Sequence, residues 1–96
     1  MRRELRCRVS RSDAGDRIEV SGRLTRRSQQ RVVDALWRRA WNKSRHITVD
    51  LAGVTYFDGT SVIVLLGNKQ IVERQRGCRV DVTGLEVATR RIFALP

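Results

Sequence analysis

Leu5, Cys7 and Val9 alternate with Arg6, Arg8 and Ser10, the two-residue period of a strand that buries one face. Ser12-Asp13-Ala14-Gly15-Asp16 reads as a turn, and Ile18-Glu19-Val20 resumes the alternation up to Gly22, which predicts an antiparallel hairpin. The pattern then changes to helical spacing. Thr25 or Ser28 is placed to cap a helix in which Val33, Leu36 and Ala40 share one face, widened by Val32, Trp37 and Trp41. Arg31, Asp34, Arg38 and Arg39 make up the wet side.

A second alternating run, Ile47 to Leu51, follows a short connection, so strand, helix and strand form a βαβ unit with parallel pairing and a right-handed crossover. Val62 to Arg76 has helical length, with Arg74 and Arg76 in its last turn and Gly77 behind them as a stop. Arg79 to Val82 is a fourth strand. Leu85 to Leu95 is a final helix with Leu85, Ala88, Ile92 and Leu95 inward and Arg90 and Arg91 outward. The order β-β-α-β-α-β-α predicts an α/β fold, a four-stranded mixed sheet covered by helices.

With 96 residues the chain suits one domain spanning residues 1–96. Its longest apolar run, Val62 to Leu66, is far short of a membrane helix, and no apolar run follows the Met-Arg-Arg start. These features lead us to expect a cytoplasmic protein without membrane insertion. Cys7 and Cys78 stand alone with His46 as the only further soft ligand, so no metal, cofactor or disulfide is expected and both should be half-buried strand residues.

Charge adds a second theme. The formal net charge is +10, and residues 1–45 carry 14 Lys and Arg against 5 acids, whereas residues 46–96 carry 6 against 5. Arg26, Arg27, Arg31, Arg38, Arg39, Lys43 and Arg45 surround one helix together with Trp37 and Trp41, a combination that single-strand nucleic-acid binders use. The tryptophans fall beside Val33, Leu36 and Ala40, however, where core packing is the better explanation, and a basic surface suits acidic proteins or anionic lipid headgroups as well as nucleic acid. Enzyme chemistry finds no support: His46 is the only histidine, no nucleophile-base-acid spacing is present, and the glycines do not form a GxxxxGK loop.

Asp58-Gly59-Thr60-Ser61 lies where the alternation of Val54 and Tyr56 passes into a helix. Asp58 suits a helix cap, and a hydroxyl at a helix N-terminus is also a place where a phosphate is well received. One of Tyr56 and Phe57 should pack inward while the other stays exposed near Asp58. Asp50 is expected on the second face of its strand or near its end, where a solvated strand acid is the commoner case and a part in shaping this loop the alternative.

The run Ile47 to Ser61, followed by a long helix, Gly77, a strand and Val87-Ala88-Thr89-Arg90-Arg91-Ile92-Phe93, resembles the STAS domain family of sulfate transporters and anti-sigma factor antagonists. The resemblance extends from about Arg17 to Phe93 and is most specific from Val49 to Asp58. It implies the element order just described and a protein-docking role. Partner contacts would come from Asp58, Gly59, Thr60, Ser61, Thr25 and Tyr56. The implied partner is an anti-sigma factor kinase or, as in the STAS subunits of ABC transporters, an ATPase. In phosphorylated antagonists the acceptor is the Ser directly after the turn's Asp. Here that position is Gly59, which removes the usual phospho-switch and leaves Thr60 or Ser61 as the hydroxyls open to modification. The family's acid after Gly-x-Leu is also replaced, by Thr25.

Overall fold

A computed structural model describes residues 4–93. Its elements are β1 (Arg6–Ser12), β2 (Gly15–Leu24), α1 (Gln29–Trp41), β3 (His46–Phe57), α2 (Gly59–Arg76), β4 (Arg79–Thr83) and α3 (Leu85–Ile92). The sheet order is β1-β2-β3-β4. β1 and β2 form the antiparallel hairpin, with Cys7 opposite Val20, and β2–β3 and β3–β4 are parallel, with Ile18 opposite Val49 and Val49 opposite Val82. The expected order and mixed sheet are therefore present.

Because side chains alternate across each strand, this register gathers Ile18, Val20, Ile47, Val49, Leu51 and Val80 in one core, which Leu36, Leu65, Val72 and Ala88 from the helices close. At about 25 cal/mol per Å² of apolar area, each fully buried Leu or Ile contributes roughly 2 kcal/mol. The opposite face carries the register neighbours Arg8 and Glu19, Arg17 and Thr48, and Asp50 and Thr83, all exposed or half-exposed. There Arg17 pairs with Asp50 at 2.6 Å, and Asp50 also accepts from Ala52 N–H at 2.9 Å. Asp50 thus lies on the second face of its strand, as expected, and braces that open face through Arg17 and Ala52 N–H.

Polar side chains lock the layers together. Trp37 Nε1 donates to Asn68 Oδ1 at 2.9 Å, joining α1 to α2. Glu73 accepts from Val80 N–H at 3.0 Å and from Lys69 Nζ at 3.0 Å, which ties α2 to the edge strand β4. Beyond Asp50, β3 outruns β4, and Arg91 donates to the exposed carbonyls of Ala52 (2.7 Å) and Val54 (3.3 Å). Arg91 therefore covers a sheet edge, while Arg90 pairs with Glu86 on the outer side of α3.

Several local expectations change. Helix α1 covers only the start of β1, so Leu5 is buried and Cys7 packs against the core, but Val9 is exposed. Gly22 does not end its strand: β2 continues to Leu24 through register shifts, and Gly22 at φ +90° leaves no room for a Cβ beside the Glu4 carbonyl. β3 runs on past Leu51 to Phe57, and α2 begins three residues before Val62. Trp41 is 67% exposed because α1 overruns the core after Ala40. Cys78 is buried just ahead of β4, and burial pushes the thiols of both cysteines up. α3 ends at Ile92, so Leu95 lies outside the described residues.

Candidate functional site

The Asp58 end of the molecule is assembled by three chain segments. β3 arrives with its last residues alternating, so that Phe57 packs against the core and Tyr56 is left 39% exposed. Asp58 is extended (φ −101°, ψ 155°) and its N–H donates to Leu24 O at 3.3 Å, fixing the loop to the end of β2. Its carboxylate then accepts from Ser61 N–H at 2.8 Å, which caps α2. The Ser61 side chain, the Ser61 N–H and nearby Arg26 hold the Asp58 carboxyl below the usual carboxylate range. Ser61 Oγ has no partner of good hydrogen-bond geometry, so the amide bond is the firmer of the two Ser61 contributions.

Of the residues the sequence singles out, Tyr56, Asp58, Gly59, Thr60 and Thr25 come together here. Gly59 and Thr60 are exposed at the first turn of α2. Ser61 is not: it is fully buried. Its placement follows from helical periodicity, since Ser61 and Leu65 share the inward face at a spacing of four. Ser61 is thereby removed as a surface hydroxyl, and Thr60 alone keeps that role. A Cβ on Gly59 would meet nothing within 4 Å, so neither packing nor backbone requires a glycine there.

Thr25 does not cap α1. Its carbonyl receives the N–H groups of Ser28 (3.1 Å) and Gln29 (2.8 Å), and its own N–H donates to Ser28 Oγ at 2.9 Å. Ser28, at the cap position, turns its hydroxyl back to Arg23 O at 2.7 Å and makes no capping bond. This knot shapes a cleft of about 400 Å³ beside Asp58, lined by Glu4, Arg23, Thr25, Arg26, Arg31 and Asp58 among others. Arg23 also lies over the Tyr56 ring, 4.4 Å from its centroid.

The sequence points to the Asp58 loop and the start of the following helix as a docking surface but does not single out the exposed apolar residues there. Ile63 is 70% exposed and Leu66 38%, on the helix face that starts at Gly59, with Ile71 flanking them a turn further on. The signal was present: Val62 to Leu66 is apolar at five successive positions, and at 100° per residue such a run covers every side of a helix. One face of α2 is then bound to remain outside the core.

The expected basic face around α1 is divided. Arg26 and Arg31 line the cleft by Asp58, Arg39 approaches Asp16 at 3.8 Å, and Lys43 and Arg45 lie at the opposite end of the molecule. Trp37 is interior and only Trp41 is exposed. His46 Nε2 meets Asp81 Oδ2 at 2.8 Å across β3 and β4. Among the described residues no group of three or more His, Cys, Asp or Glu is placed to hold a metal ion, and no helix is long and apolar enough to cross a membrane.

A sequence model of the family described as "Mlab, STAS domain" matches residues 7–95. The chain belongs to the STAS domain family. Solved structures agree with that assignment. An anti-sigma factor antagonist STAS domain from Rhodobacter sphaeroides is similar with a TM-score of 0.71 at 21% identity, over 92% of this chain and 95% of that one. An anti-sigma factor antagonist from Mycobacterium paratuberculosis is similar with a TM-score of 0.73 at 14% identity, over 95% of this chain and 77% of that one. No protein of curated function matches the sequence. At these identities the structural likeness concerns the fold of this STAS domain.

Proposed function

We propose that this STAS domain is a non-enzymatic, cytoplasmic docking module. It binds a kinase-like anti-sigma factor through the Asp58 loop and the first two turns of α2. The observation that carries this reading is the exposed apolar pair Ile63 and Leu66 immediately behind a polar, capped loop. An apolar centre with a polar rim is how protein interfaces are built, and an exposed apolar patch on a small domain marks such a site. Tyr56, stacked under Arg23, and Thr25 extend the rim on one side, and Gly59 and Thr60 form its upper edge.

Phosphorylation in this setting works by adding nearly two negative charges to a buried contact. Gly59 offers no hydroxyl and Ser61 is buried, so the contact is constitutive unless Thr60 is modified. That same feature favours a second reading, in which the partner is an ABC-transporter ATPase held permanently.

The test is capture of partners from the native host on the immobilised domain, comparing wild type with Ile63→Arg and Asp58→Lys. Ile63→Arg alters only an exposed side chain, whereas Asp58→Lys also removes the α2 cap and costs about 1 kcal/mol of stability. Loss of a kinase-like anti-sigma factor, or of a transporter ATPase, from both variants supports the proposal and names the branch. Retention of every partner by the folded Ile63→Arg variant overturns it.

A further inference from the structure

The end of the molecule away from Asp58 has a different character. α2 is 18 residues long and so spans roughly 27 Å between the two ends. At the far end, the Asn42–Arg45 connection, the last residue of α2 and the start of β4 enclose a cleft of about 500 Å³. Its charged lining residues are Lys43, Arg45, Arg76 and Arg79, with no acid among them. Two carboxylates lie near the lining and both are engaged: Asp81 is shared between Arg79 (3.3 Å) and His46 (2.8 Å), and Glu73 is held by Lys69 and Val80 N–H (both 3.0 Å).

Two further observations point to a ligand. Trp41, 67% exposed, lies with one face under Arg76, whose guanidinium carbon is 4.6 Å from the ring centroid, so the rest of the indole surface is open. Lys43 is the one described non-glycine residue at positive φ (+65°), completing the α1 stop through Lys43 N–H to Ala40 O (3.1 Å) and Ser44 N–H to Arg39 O (3.2 Å). A glycine would fit that position without strain, yet a cation occupies it. Helix dipoles explain Arg76 at the C-terminal turn of α2, but they do not explain Arg45 and Arg79, which stand on a loop and a strand.

We infer that this pole binds a short segment of single-stranded nucleic acid, with a base stacked on Trp41 and phosphates held by Lys43, Arg45, Arg76 and Arg79. A concave cluster of cations beside an open aromatic face is the arrangement that suits a base and its phosphates, whereas a flat lipid surface makes no use of a cleft. The inference is independent of the docking reading, since it uses neither Asp58 nor the apolar face of α2.

The experiment is fluorescence anisotropy with labelled 12-mers of oligo(dT) and oligo(rU), titrated with the whole chain at several salt concentrations. The expected slope of log K against log[salt] is about −3, from four phosphate contacts at about −0.7 each. Trp41→Ala is expected to weaken binding about tenfold. Lys43→Glu/Arg45→Glu should abolish it, while Arg26→Glu/Arg27→Glu, an equal charge change at the Asp58 end, leaves most of it. Circular dichroism verifies that each variant is folded. Equal losses from the two double variants would overturn the site in favour of unspecific attraction to a +10 protein. So would failure of both oligonucleotides to bind while vesicles of 30% phosphatidylserine do, an outcome that would reassign the pole to anionic membrane.

Discussion

Lys43→Gly is expected to make the protein more stable, although it removes a side chain and adds chain freedom. Lys43 holds φ at +65°, a conformation that costs an L-residue about 1–2 kcal/mol because its Cβ crowds the neighbouring carbonyl. Glycine relieves that cost and widens the unfolded ensemble by about 0.4–1 kcal/mol. The net gain is about 0.5–1 kcal/mol, or a rise of roughly 2–8 °C in Tm for a domain of this size. Both backbone bonds that end α1, from Lys43 N–H and Ser44 N–H, survive the change. Lys43→Ala separates backbone from charge: it removes the same cation but keeps the Cβ, so its Tm should stay within a degree or two of wild type. The assay is a thermal melt followed at 222 nm, checked by urea midpoints at unchanged m-value. A Tm for Lys43→Gly at or below that of Lys43→Ala would refute the reasoning. If Lys43 also holds a phosphate at the far pole, the more stable glycine variant should bind oligonucleotide less well.

Gly84→Ala should cost about 2–5 kcal/mol, since Gly84 sits at φ +79° and a Cβ would meet Ala52 N at 2.4 Å, whereas Gly77→Ala, at φ +66° in open space, should cost only about 1 kcal/mol; urea titrations separate the two. Hydrogen bonds from Val80 N–H and Lys69 depress the Glu73 carboxyl, so its contribution is present above the unfolded pKa and is lost as pH falls through the folded value. Stability should therefore decline from about pH 5 downward, and Glu73→Gln should flatten the decline in urea midpoints measured between pH 6 and pH 3. Gly59→Ser should fold normally, because a Cβ there meets nothing within 4 Å, and a kinase partner supplied with ATP should then add one phosphoryl group to Ser at that position, detectable by mass spectrometry and absent from wild type.

The architecture was legible because each element carries its own period. Ile18 and Val20, Leu36 and Ala40, and Ile47, Val49 and Leu51 all fall in the core as their spacing requires, and Arg74, Arg76 and Gly77 end α2 where expected. What escaped the sequence depends on how far one element reaches over another. Val9 looks like a core residue, yet no helix covers it on the edge strand β1, and Trp41 is exposed because α1 continues beyond the core. Nothing in a one-dimensional pattern marks the bulge that carries β2 through Gly22 to Leu24. At the site, Asp58 as a cap was readable from its place between a strand and a helix, and the capping bond is there. The burial of Ser61 was readable only with α2 starting at Gly59, because a start at Val62 leaves Ser61 outside the helix. The cationic cleft unites Lys43 and Arg45 with Arg76 and Arg79, residues 31 to 36 positions apart, and the contrast between the two halves of the sequence hides that union.

Docking of partners on the Asp58 end of α2 is what we propose for this domain. A photo-crosslinking amino acid placed at Ile63 in the native host, with a second variant carrying it at Arg17 on the open sheet face, tests this in place. Irradiation is expected to join the Ile63 variant, and not the Arg17 variant, to an anti-sigma factor kinase or a transporter ATPase. Crosslinks to such a protein from Arg17 but none from Ile63 would contradict the proposal.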